Sequence, residues 1–116
     1  VVDVAGVVRA SLSEEGSGLI RSDIAYAKAW TCLAFNVSSN TLRDVFEGQP
    51  RLAPAVTGMQ TMAGGKLVPT PGGMLIQKDG KNIGAVGVTG DVSDQDEICA
   101  IAGIESSNLT AGHKSK

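Results

Sequence analysis

The sequence predicts an α/β (α+β) protein of one domain, on three observations. Asp79-Gly80 stands between two apolar runs, Met74 to Gln77 and Asn82 to Thr89, which is the pattern of a tight β-hairpin. The stretch from Asp23 to Phe35 is rich in alanine and places Ala25, Ala29 and Cys32 at i, i+4 and i+7, one smooth helical face. A further helical segment follows Ser93 and presents Ile98, Ile101, Ala102 and Ile104.

The remaining elements are read in chain order. Val1 to Leu12 holds two short β segments meeting at the Ala5-Gly6 turn, because its β-branched residues suit a pleated, half-buried surface. Glu14 to Gly18 is a polar break. Ser22 is the expected cap of the alanine-rich helix, with Asp23 in its first turn. Ser38 or Ser39 caps a shorter helix containing Leu42, Val45 and Phe46, which Gly48 and Pro50 end. Residues 48–66 hold two prolines and four glycines and read as loop. Ser93-Asp94-Gln95-Asp96 imitates a capping box. The domain is expected over residues 1–109, with 110–116 a flexible tail.

Composition narrows the function classes. The 116 residues are 42% hydrophobic with a net charge of −2, as in an ordinary globular chain. The aromatics are Tyr26, Trp30, Phe35 and Phe46, so the core must be aliphatic and tightly packed. Without a basic stripe or a stacking platform, no nucleic acid is expected as partner. No apolar run reaches membrane-spanning length, so no membrane is expected either. The compartment stays open between the cytoplasm and, where a leader has been removed, secretion. Cys32 and Cys99 are expected as two buried, reduced thiols.

Six glycines fall between Pro71 and Asp91. Gly84, Gly87 and Gly90 match neither the dinucleotide fingerprint nor the Walker pattern, and two of them fall within the strand, before any turn, which sets phosphate binding aside. Alternation along the returning strand is more informative. Gly84, Val86 and Val88 share one face, while Ala85, Gly87 and Thr89 share the other, so one face is bulky and the other bare. A bare face accepts either a closely docked helix or a ligand.

Few residues suggest chemistry. Lys28 is the cation within the alanine-rich helix, with Thr31 three residues on, so the two could line one wall. Asp91, Asp94, Asp96 and Glu97 cluster where a helix start already favours acids, and they lack the spacing of a calcium loop. His113 is the single histidine and lies in the expected tail, so a triad is unsupplied and no metal site is expected.

Several of these segments resemble one family. Lys28-Ala29-Trp30-Thr31-Cys32-Leu33-Ala34-Phe35 is similar to its KAxTAxxF helix, and Gly72-Gly73-Met74-Leu75-Ile76 resembles its GGxPI strand. Ile83 to Gly90, followed by Gln95-Asp96-Glu97, resembles IGAIGVSG…QDE. Val2-Asp3-Val4-Ala5-Gly6 resembles its VDAGG turn, with a departure at the first glycine. The chain is thereby identified as a member of the haem-degrading, GlcG/HbpS-like family, which includes the C-terminal domain of PduO-type cobalamin adenosyltransferases. The resemblance implies a profilin-like fold, with a central antiparallel sheet flanked by helices on both sides, and a homo-oligomer. It also implies an additional N-terminal helix before these residues, expected either to have been removed or to belong to another segment of the chain.

Some relatives bind haem, in certain cases through a histidine in the first half. This chain has none there, so an axial ligand would have to be Thr31, Lys28, a tyrosine or a methionine. Three functions follow. The first is an oligomeric small-molecule binder for haem or another flat organic ligand, lined by Thr31, Gly72, Gly73, Ala85, Gly87 and Thr89. The second is a metal-free enzyme acting on a small polar molecule such as a hydroxy acid. It would use Lys28 as anchor or acid, Asp96 or Asp3 as base, and the Gly72-Gly73 amides as oxyanion donors. The third is a purely structural assembly domain.

Overall fold

The structure, a computed structural model, describes residues 1–113, with the side chain of Ser93 outside the description. Its centre is a four-stranded antiparallel sheet in the order β1-β3-β2-β4. The strands are β1 (Val2–Asp3), β2 (Gly73–Lys78), β3 (Lys81–Gly87) and β4 (Thr110–Gly112). The helices are α1 (Arg21–Phe35), α2 (Ser39–Glu47), α3 (Ala53–Met62) and α4 (Ser93–Ser106), with a 3-10 turn over Pro50–Leu52.

The β2–β3 hairpin closes as its turn residues require. Asp79 and Gly80 both take positive φ, 52° and 78°, the pair that matches the twist of the flanking strands. Register then places Met74 opposite Val86, Leu75 opposite Ala85 and Gly73 opposite Gly87. The opening segment folds back on itself: Val2 bridges Val8, and Asp3 Oδ1 accepts from the amides of Ala5 and Val7.

Alternation assigns the two faces. Leu75, Ala85 and Val2 pack on Ala29 and Cys32 of α1, all of them buried. On the opposite face Met74 and Ile76 pack on Ala100 and Ile104 of α4, with Val86 and Val88 at the margin. A helix therefore lies on each side of the sheet, the bare face against the small-residue helix and the bulky face against the isoleucines. At Gly87 the approach is closest, because a Cβ there would run into the Ala25 carbonyl and the Ala29 amide of α1. Phe35 and Phe46 join α1 to α2 edge to face, 6.3 Å between ring centres.

Several expectations need correction. Ser22 does not cap α1: the helix is entered through a turn in which the Arg21 amide donates to Gly18 O, so Ser22 lies inside the first turn. Ser38 does cap α2, accepting from the Thr41 amide at 3.1 Å. The stretch expected as loop contains α3, because Pro54 falls in the first helical turn, where a missing N–H costs nothing, and Gly58 is tolerated. Asp96 does not serve a capping box; its carboxylate turns to other partners described below. On α4 the buried ridge is Asp96, Ala100 and Ile104 at i, i+4 and i+8, leaving Ile98 and Cys99 exposed. Only Cys32 is a buried thiol. Thr110–Gly112 is no tail but pairs with β2, and the His113 carbonyl accepts from the Ser38 amide at 2.7 Å. Residues 114–116, the rest of the expected tail, lie outside the described residues.

Candidate small-ligand site

α1 brings Lys28 to the end of β3. Its ammonium end abuts the position a Gly72 side chain would fill: a Cβ on Gly72 would run into the Val88 carbonyl and lie 2.9 Å from Lys28 Nζ, and the Gly72 φ of 126° also favours glycine. Nζ donates to the Val88 carbonyl at 2.9 Å and pairs with Asp96 Oδ2 at 3.2 Å. The other Asp96 oxygen accepts from the Asp91 amide at 3.0 Å. Both charged side chains are buried, with 3% and 4% exposure. The two residues assigned to catalysis from sequence thus meet, although 68 positions separate them.

The other expected residues occupy different settings. Thr31 does not share a wall with Lys28. Its hydroxyl lies 2.7 Å from Ala27 O and 3.2 Å from Lys66 O and accepts from the Val68 amide at 2.8 Å, tying residues 66–68 to α1. Ala85 is fully buried and Gly87 is covered by α1, so neither offers an open floor at its Cα. The Gly73 amide donates to Ser39 Oγ at 2.8 Å, which leaves no free Gly72-Gly73 donor pair for an oxyanion. Asp3 is spent on its own turn: the Val7 amide first, then Ala5 and Arg9, hold its carboxyl below the usual value.

A cavity of about 850 Å3 does open beside this strand end. Its walls are the end of β3 at Val86 and Gly87 with the segment Val88–Asp91 that follows it, the start of α1 at Arg21, Ala25 and Tyr26, and loop residues 10–18. Val2 and Val8 add apolar surface, Asp96 reaches the lining, and Tyr26 donates to Gly6 O at 3.3 Å. Gly87 and Thr89 are therefore among the lining residues. Arg21, Tyr26 and the loop were missed; the Gly/Ser-rich composition of 16–18 was the available signal.

Beneath the sheet, Cys32 lies against Gly73 and Ser39. Burial, with the Glu97 carboxylate adding to it, pushes its thiol up to about 12. Asn40 Nδ2 donates to Glu97 Oε2 at 3.0 Å, a polar link between α2 and α4 that the sequence reading also missed. Among the described residues no cluster of three or more His, Cys, Asp or Glu could hold a metal ion, and no helix is long and apolar enough to cross a membrane.

Fold and cavity together define a class of small domains with an antiparallel sheet between helices and a pocket at the strand end. Within that class the chain belongs to the haem-degrading, HbpS-like family, which residues 1–105 match. It is 31% identical over 109 residues to the corrinoid adenosyltransferase PduO of Salmonella typhimurium, covering 94% of this chain and 31% of that protein. To the PduO of Citrobacter freundii it is 28% identical, with the same coverage of 94% and 31%. The chain thus spans about a third of the length of the curated relatives it matches. Among solved structures it is similar to a PduOC–haem complex, with a TM-score of 0.83 and 31% identity over 96% of this chain and 78% of that one. Klebsiella pneumoniae protein ORFY shares the fold, with a TM-score of 0.77 and 23% identity over 90% of this chain and 69% of that one.

Proposed function

We propose that this domain binds a flat, largely apolar organic molecule in the 850 Å3 cavity, and that haem is the first candidate. The cavity carries the reading. Its volume lies in the range of small-molecule sites, its valines and alanines with the Tyr26 ring supply apolar wall beside about as many polar residues, and Arg21 is the cation of the lining that a carboxylate could meet. The similarity to a protein crystallised with haem supports the choice of candidate.

The apolar wall suits the porphyrin plane better than its iron, and Arg21 is the one side-chain cation there to meet a carboxylate beside Glu14, Glu15, Asp91 and Asp96. No histidine, cysteine or methionine lines the cavity, and Tyr26 is the one side chain there of a type known to hold haem iron. The residues do not fit a histidine-ligated haem, so the pocket is a holder for the ring, and no chemistry at iron follows from it. The test is a titration of the protein with haem and, in parallel, with metal-free protoporphyrin IX. Both are expected to saturate at one per chain with shifted Soret bands, and Arg21→Met is expected to weaken both about fivefold. Unshifted bands at stoichiometric ligand overturn the proposal.

The enzyme reading draws less support. Lys28 Nζ and Asp96 are hydrogen-bonded to each other and to the backbone of Val88 and Asp91, so we infer that the pair clamps α1, the end of β3 and α4 together.

A further inference from the structure

A second cavity lies away from the sheet, between α1 and α3. It measures about 350 Å3 and is lined by Trp30, Phe35, Met59, Met62, Lys66 and Leu67, with two alanines. From Leu52 to Gly65 the chain carries no charge, yet α3 buries none of its side chains. The helix therefore stands off α1 and leaves a slot where a packed seam would be expected of so apolar a segment.

One wall of the slot is the Trp30 indole, the single tryptophan of the chain. The Lys66 ammonium lies 5.3 Å from its ring centre. The opposite wall carries the Met59 and Met62 thioethers, soft groups that favour contact with aromatic rings, and Met62 is 88% exposed. Lys66 is the only charge in the lining. Its backbone is held from both sides: the Thr31 hydroxyl reaches Lys66 O at 3.2 Å, and Gln60 Oε1 accepts from the Leu67 amide at 3.0 Å. The backbone that carries Lys66 is thus tied to α1 and α3 at once, with its ammonium over an aromatic face.

We propose that this slot is a second binding site, for a flat aromatic carboxylate of two- or three-ring size. Trp30 stacks the ring, the thioethers cover it, and Lys66 meets the carboxylate. The volume excludes a tetrapyrrole from full entry, so the site is distinct from the larger cavity in both place and ligand.

The test titrates the isotopically labelled full chain with 2-naphthoate and with neutral 2-naphthamide, following the Trp30 indole N–H and the Met62 methyl. The Gly87 and Thr89 amides report the larger cavity in the same spectra. Naphthoate is expected to shift the Trp30 and Met62 signals saturably, and naphthamide to bind about fivefold more weakly. In Lys66→Met, a surface change, the two ligands are expected to bind equally. Shifts confined to Gly87 and Thr89 overturn the slot and leave the larger cavity's role untouched. No shift at ligand excess also overturns the slot. Equal binding of both ligands to the unaltered chain overturns the role of Lys66.

Discussion

At the scale of the residue, glycines of equal size have opposite meanings. Gly87 lies against the backbone of α1, which cannot give way as a flexible side chain would. Gly87→Ala is expected to lower stability by about 3 kcal/mol, read from urea midpoints, because it overpacks a closed contact. Gly58 has nothing within 4 Å of its would-be Cβ and sits inside α3. There alanine is expected to raise stability by about 0.5–1 kcal/mol, since the unfolded chain loses freedom and the helix loses none. An unchanged midpoint in the first case would show that α1 is not seated as described. The two thiols differ in the same way. A thiol reagent should label Cys99 alone in the native protein, with Cys32 reacting only on unfolding. The Cys32 thiol, raised from 9.0 to about 12, stabilises the fold fully below its unfolded value, and that contribution is lost as pH rises from 9 towards 12. Cys32→Ala should flatten that alkaline decline relative to the unaltered chain.

At the scale of elements, the Lys28–Asp96 pair fastens three of them. Lys28→Met is expected to destabilise by about 3–5 kcal/mol, because it strands a buried carboxylate rather than because the pair itself is strongly favourable. Replacing both, Lys28→Met with Asp96→Leu, should recover a large part of that loss, less the Asp91 amide bond, and the double-mutant cycle measures it. Additive losses would mean that the two side chains act separately. The same elements show how far periodicity reaches. The hairpin, α1 and α2 were legible because turn chemistry, helical spacing and the Ser38 cap act locally. α3 was not, because two helix-weakening residues outvoted an otherwise helix-forming run, and their placement at Pro54 and Gly58 is harmless only in context. The buried face of α4 was misjudged because a charge, Asp96, points inward, and hydrophobic spacing cannot anticipate a paired charge.

At the scale of the whole molecule, Leu19 is 100% exposed and Leu12 97%, an amount of apolar surface that suggests a covering partner. Self-association was expected from the family resemblance, and we propose it here. Native mass spectrometry should find more than one copy per particle, and a single-copy mass at micromolar concentration would remove the idea. Of the residues singled out from sequence, Lys28 and Asp96 meet in a buried ion pair, and Gly87 and Thr89 lie on the larger cavity. Thr31, Gly72, Gly73 and Ala85, expected beside them, are not among the residues lining that cavity; Thr31 and Gly73 are instead hydrogen-bonded to Val68 and Ser39, from segments distant in the chain.

By itself, the sequence determined where the hairpin turns, which strand face lacks bulk and which helix is smooth enough to meet it, since each depends on residues a few positions apart. Only the tertiary structure decided that this smooth helix fills the bare face, so that the cavity opens at the strand's end and not on its floor. It alone brought Lys28 to Asp96 and Trp30 to Lys66. Such pairings rest on how elements cross in space, and no local pattern encodes the crossing.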